Sequence, residues 1–183
     1  MGMKLHKTVV LVGMMGAGKT AVGRELAQCL NVSFRDSDEE IVEAAQMSIA
    51  EIFERDGESF FRAREAEVIA RLMRGHPGIL SVGGGAFLNA GTRALISDLG
   101  VSVWIKADLE LLWARVRQKS TRPLLRTANP RETLAGLLTA REPYYSKADL
   151  AVHTKPGYAI ADTARAVLKE LSTRPDVLEG YAG

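Results

Sequence analysis

Short runs of apolar and β-branched residues recur along the chain, and stretches with apolar positions three and four apart fill the gaps between them. Thr8–Val12 has no polar alternation, and neither do residues 78–82 (Gly-Ile-Leu-Ser-Val) and 101–105 (Val-Ser-Val-Trp-Ile). Residues 150–154 make a fourth run and residues 33–36 a weaker fifth. Uninterrupted runs of this length suit strands covered on both faces. Between them, Val22, Leu26 and Leu30 repeat every four residues, Ile49, Ile52 and Phe53 mark a turn-rich helix, and Val68, Ile69, Leu72 and Met73 mark a longer one. Leu109–Val116 and residues 133–138 and 159–171 carry the same periodicity. Strand–helix alternation predicts an α/β fold with three α/β/α layers around a five-stranded, mainly parallel sheet. Parallel strands need right-handed crossovers, and ligands of such sheets bind beyond the carboxyl ends of the strands. Functional residues are therefore expected just after strands.

At 183 residues the chain suits one domain, taken as residues 1–173. Residues 174–183 contain Pro175, Gly180 and Gly183 and are expected to form a loosely held tail. The single cysteine, Cys29, excludes an internal disulfide; it continues the Val22–Leu26 stripe and is expected to be a small buried hydrophobe. Trp104 is expected in the core, and His6, His76 and His153 lack metal-ligand spacing. Formal charge is +2, from 24 basic and 22 acidic side chains, too balanced for a nucleic-acid coat. No apolar run reaches the ~18 residues of a membrane span and no signal peptide is legible, so a cytoplasmic, membrane-free protein is expected.

The first strand runs into Gly13-Met14-Met15-Gly16-Ala17-Gly18-Lys19-Thr20, which matches G-x-x-x-x-G-K-[ST] with an amphipathic helix behind it. Glycines let the backbone curl until several N–H groups face one anion, and the helix N-terminus adds its positive end. Lys19 is expected at the β- and γ-phosphates and the Thr20 hydroxyl at Mg²⁺. A phosphate loop does not identify the acceptor.

Three further patterns bear on that question. Asp36 and Asp38 follow the second strand, where they could face a crevice or could simply cap and solvate an acidic helix start. Arg62 and Glu65 share a helix face, which suits either a carboxylate-binding guanidinium fixed by its neighbour or an exposed ion pair. Gly83-Gly84-Gly85 ends the third strand, where a ligand could approach the backbone.

Taken in order and spacing, these motifs resemble shikimate kinase. The resemblance runs from Gly13 to about Gly157. It includes the run from Gly13 to Arg24, the acid pair, Ser48-Ile-Ala-Glu-Ile-Phe53, Gly57-Glu58 through Glu65, the triple glycine, Thr121-Arg122-Pro-Leu-Leu125 and Arg141-Glu-Pro-Tyr-Tyr145. It implies a P-loop kinase fold with a lid at about residues 117–130 and an acceptor region at about 36–65. It further implies ATP held by residues 13–21, including Ala21, and Mg²⁺ near Thr20 and Asp36. Asp38 would bind the accepting hydroxyl and act as its base. Arg62 and Arg141 would clamp the shikimate carboxylate, Glu65 would orient Arg62, and Gly83, Gly84 and Gly85 would meet the ring. Arg122 would fold over the phosphates from the lid, and Arg115, Lys155 and Pro156 would flank the adenine. A monomer acting on a small molecule, without nucleic acid or membrane, goes with that resemblance. Two alternatives stay open on the residues alone. A gluconate kinase would share loop and lid. A nucleotide switch would lack an acceptor site, but no Asn-Lys-x-Asp guanine-reading motif is present.

Overall fold

The computed structural model describes residues 2–118 and 127–183. Five strands form one parallel sheet: β2 (Thr8–Val12), β3 (Phe34–Asp36), β4 (Ile79–Ser81), β5 (Gly100–Lys106) and β6 (Leu150–His153), in the order β3-β4-β2-β5-β6. Every residue of β2 is buried, as its unbroken apolar run requires, and it pairs with β4 on one side and β5 on the other. Chain order reverses between β4 and β5 on either side of β2, and the phosphate loop leaves β2 at that point. This is the switch point at which doubly wound sheets open a crevice.

Helices flank the sheet and complete three layers. Helix α1 (Lys19–Leu30) packs on β3, β4 and α8 (Ile160–Leu171), and α8 packs on β6. Beyond β3 come α2 (Ser37–Ala45), α3 (Ile49–Asp56) and α4 (Glu58–Met73). Ile41, Ile52 and Phe61 from these three helices form a small second core apart from the main one. The Phe53 and Phe61 rings meet edge to face at 4.8 Å within it. Residues 36–65 thus fold as a satellite beside the main core. Helices α5 (Ala90–Leu99), α6 (Leu109–Val116) and α7 (Pro130–Tyr145) follow. α7 is longer than residues 133–138, and α5 was not legible, because Ala90, Gly91 and Thr92 blur its apolar period. No helix among the described residues is long and apolar enough to cross a membrane.

Two expectations are corrected. The end of the chain is not a loose tail. Leu178–Glu179 forms β7, which pairs antiparallel with β1 (Lys4–Leu5), and Val177 and Leu178 are buried. The His6 N–H donates to the Val177 carbonyl at 2.8 Å, and Asp176 pairs with Lys7 at 3.1 Å. Two-residue strands have no periodicity of their own and become visible only beside their partner. Cys29 is exposed. The buried stripe of α1 is centred on Leu26, Leu30 and Gly23, with Ala27 at its far side, so Cys29 falls off the near edge. Gly23 packs closely on Phe34, whose ring would lie 2.5 Å from a Cβ at that position.

The pinned terminus carries a stability prediction. Burying a valine and a leucine is worth roughly 1.5–3 kcal/mol each, so truncation before Val177 should lower Tm by roughly 6–24 °C for a domain of this size. An unchanged melting curve would return the segment to the status of a tail.

Candidate functional site

The phosphate loop takes its shape from three glycines at positive φ, Gly13 at 146°, Gly16 at 84° and Gly18 at 96°. At two of them space is also lacking. A Cβ on Gly13 would lie 2.8 Å from the Ile105 carbonyl oxygen, and one on Gly16 would lie 2.7 Å from Val116 Cγ1. Helix α6 therefore presses on the loop directly, and Arg115 Nη1 donates to the Gly16 carbonyl at 3.0 Å. Met14 and Ala17 anchor the loop in the core. Gly18 caps α1 without a side-chain hydrogen bond, so the first amides of the helix face the cleft undonated to any cap. Lys19 Nζ reaches back to the Gly13 and Met14 carbonyls at 2.5 and 3.3 Å. Met15, Thr20 and Ala21 line the same cleft, whose volume is about 930 Å³.

Asp36 closes β3 and caps α2, its Oδ1 accepting from the amides of Asp38 at 2.9 Å and Glu39 at 3.3 Å. The capping alternative is therefore realised, and the cap itself aims the next carboxylate. Asp38 sits in the first turn of α2 and faces the cleft. Burial pushes its carboxyl above the usual range and Asp36 adds to that, while Lys19 and Arg62 pull the other way.

Arg62 and Glu65 on α4 bond at 2.9 Å, and Glu65 is only 3% exposed, so the pair is not a surface salt bridge. Burial raises the Glu65 pKa and Arg62 opposes the rise. Its second oxygen, Oε2, is buried and has no hydrogen-bond partner among the described residues. Arg141, on α7, is buried to 8% exposure, so both guanidiniums enter the cleft from opposite elements.

The triple glycine joins these groups. None of the three has positive φ, so backbone conformation does not demand glycine there. Space does. A Cβ on Gly83 would lie 2.9 Å from Asp38 Oδ1, one on Gly84 would lie 2.6 Å from Arg141 Nη1, and one on Gly85 would overlap the Arg62 guanidinium. Sequence reasoning expected these glycines to admit a ligand. The structure shows them admitting the three charged side chains that line the acceptor end of the cleft.

At the far end of the cleft the picture changes. Lys155 and Pro156 are exposed and do not line it, because the turn at Gly157 (φ 86°) carries them outward. Thr154, Tyr158, Ala159, Ile160 and Thr163 line it instead, with the Thr154 and Thr163 hydroxyls 2.9 Å apart. Tyr158, just ahead of α8, and Ile160, its first residue, are exposed apolar residues, and two apolar residues at a helix start were the signal available in the sequence. Arg115 lines the cleft as expected. Arg122 and most of the lid expected at 117–130 lie outside the described residues. A basic, amide-rich loop thus faces a carboxylate flanked by two arginines across one crevice. That arrangement can hold a polyphosphate at one end and an anionic alcohol at the other.

A family model described as shikimate kinase matches residues 15–172. The shikimate kinase of Cereibacter sphaeroides is 63% identical over 176 residues, covering 96% of this chain and 88% of that protein. That of Ruegeria pomeroyi is 64% identical over 175 residues, covering 96% and 90%. Among solved structures, a shikimate kinase from Acinetobacter baumannii in complex with shikimate superposes with a TM-score of 0.86 at 39% identity, covering 92% of this chain and 94% of that one.

Proposed function

Because the chain belongs to the shikimate kinase family, we propose that the cleft joins ATP and shikimate head to head, with Asp38 at their meeting point. The enzyme transfers the γ-phosphoryl of ATP to the 3-hydroxyl of shikimate, giving shikimate 3-phosphate and ADP in the chorismate route to aromatic amino acids. The observation that supports the residue roles best is the glycine loop, which fits Asp38, Arg141 and Arg62 against one backbone segment.

Residues 13–21 bind the nucleotide phosphates through loop amides, and Lys19 leaves its carbonyl partners for the β- and γ-phosphates. Arg62 and Arg141 grip the acid's carboxylate, and Glu65 holds Arg62 in position. That grip brings the 3-hydroxyl to Asp38, which aligns it and accepts its proton as the O–P bond forms. The phosphoryl moves from the β,γ-bridging oxygen to the hydroxyl oxygen, leaving ADP. Two guanidiniums at one site would be poorly matched to neutral sugars, and gluconate lacks the ring that the aromatic wall of Phe53 and Phe61 would cover.

Mg²⁺ fits the residues present. Among the described residues no cluster of three or more His, Cys, Asp or Glu could cage a metal, which suits an ion held mainly by phosphates and water. The Thr20 hydroxyl is exposed to the cleft, and Asp36 spends only Oδ1 on its cap, so one hydroxyl and one carboxylate oxygen remain for it. Thr20 and Asp36 would hold the ion, and it would supply positive charge to offset that of the phosphates during transfer. At the far end Arg115 flanks the base, with Thr154, Tyr158 and Ile160 in the part first assigned to Lys155 and Pro156. A monomeric, cytoplasmic enzyme completes the reading.

A coupled assay of ADP release with shikimate, with gluconate and with no acceptor tests it. Release that depends on shikimate alone is the expected result; equal release without acceptor would overturn it. The lid carries a further expectation. Arg122→Ala should lower kcat by roughly 10² and leave shikimate affinity within twofold, since the arginine would meet phosphates and not the acid. Near-normal turnover would reject that role.

A further inference from the structure

One buried side chain of α7 touches both halves of the cleft and has no part in the chemistry above. Tyr145 is fully buried at the end of α7. Its hydroxyl donates to the Gly84 carbonyl at 2.6 Å and lies 3.8 Å from Met14 Sδ. Gly84 is the middle glycine of the acceptor loop, and Met14 belongs to the phosphate loop. Arg141 lies one turn earlier on the same helix face, and its Nη1 crowds the same glycine. The ring itself is held by Trp104 of β5, 6.0 Å between centroids. A single phenol therefore contacts the acceptor loop, the phosphate loop and, through its own helix, the carboxylate clamp.

We propose that Tyr145 is a positioning residue for the acceptor: its bond to the Gly84 carbonyl fixes the glycine loop at the height where Asp38 and both guanidiniums converge on shikimate. Three features carry this. The bond goes to backbone, so it sets the loop and not one side chain. The loop cannot be held by side chains of its own, because its three residues have none. And the phenol does not compete as an acid or base: burial pushes its pKa up to about 12, against the opposing pull of Arg141, so it stays a neutral donor. Its role is geometric.

The inference rests on the shikimate kinase reading, and the two fail differently. If the unaltered enzyme shows no shikimate-dependent ADP release, that reading falls. If the enzyme is active, Tyr145→Phe decides the inference, since phenylalanine keeps the ring and removes only the donor. The expected result is a shikimate KM raised about tenfold with the ATP KM within twofold. Both KM values unchanged, or both raised alike, would overturn it, the latter because general loosening does not choose between substrates. The unaltered protein supplies a test that needs no folded variant. A phenolic proton held in a 2.6 Å bond exchanges slowly enough to give its own NMR resonance, and shikimate should shift it. No shift at saturating shikimate would sink the idea.

Discussion

Asp38→Asn should lower kcat by roughly 10³–10⁴ while shikimate still binds with nearly the parent affinity. Asparagine keeps the shape and one acceptor oxygen, so the hydroxyl can still be placed. It cannot take the proton, and it cannot hold the negative charge that Lys19 and Arg62 face. The pH profile supplies the companion measurement. Because burial raises the Asp38 pKa above its usual 3.8, the parent should lose kcat/KM on the acid side at a higher pH than an ordinary carboxylate would dictate. The variant's residual activity should lack that limb. Stability should move the other way. A carboxyl whose folded pKa is raised binds its proton more tightly folded than unfolded. Keeping it ionised therefore costs stability above the folded pKa, a cost that vanishes as pH falls below the unfolded pKa. At neutral pH Asp38→Asn removes that cost, so Tm should stay level or rise while turnover collapses, the trade expected of a strained catalytic group. Parent-like kcat, or a lost Tm that explains the lost activity, would remove Asp38 from the mechanism.

Arg62→Ala should raise the shikimate KM by about 10³, the scale for losing one partner of a desolvated charge pair, and leave the ATP KM within twofold. The guanidinium is fixed before substrate arrives by its 2.9 Å bond to Glu65 and by the space Gly85 leaves open. Its removal also strands Glu65, which is buried and already short of one partner among the described residues. A fall in Tm should therefore accompany the binding defect. Adding Glu65→Gln should recover much of that Tm and none of the KM, because a neutral amide tolerates burial but does not bind a carboxylate. An unaltered shikimate KM in Arg62→Ala would end the clamp argument. So would recovery of both quantities in the double variant.

Most of the fold was readable residue by residue. Thr8–Val12 and Leu109–Val116 matched to the residue, because a fully buried strand and a one-faced helix write their periods into every position. The phosphate loop was readable for the same kind of reason: Gly13, Gly16 and Gly18 satisfy a local backbone demand, positive φ, that glycine meets at the lowest cost. Asp36 and Asp38 were found, but on the residues alone a cap and a cleft carboxylate look alike, and only the resemblance set Asp36 toward the metal and Asp38 toward the hydroxyl. In the structure both line the cleft, and Asp36 also caps α2 through Oδ1.

What escaped depended on partners far away in the chain. Gly83 to Gly85 were expected to make room for a ligand. They make room for side chains that arrive from positions 38, 62 and 141, and nothing local announces that. β7 exists only because β1 lies beside it, and Cys29 is outside because the buried face of α1 runs through Gly23, Leu26, Ala27 and Leu30, a choice that the packing of α1 makes. Tyr145 entered the sequence reading only as the last residue of the Arg141–Tyr145 motif, and the fold alone sets Gly84 and Met14 against its hydroxyl. The amino-acid order by itself determined the strands and helices, the anion-binding loop and the set of charged residues available for chemistry, because each of these obeys rules of spacing over a few neighbours. Tertiary structure alone decided which charges lose their water and which glycines are needed for space, because burial and steric overlap are properties of segments brought together from distant parts of the chain.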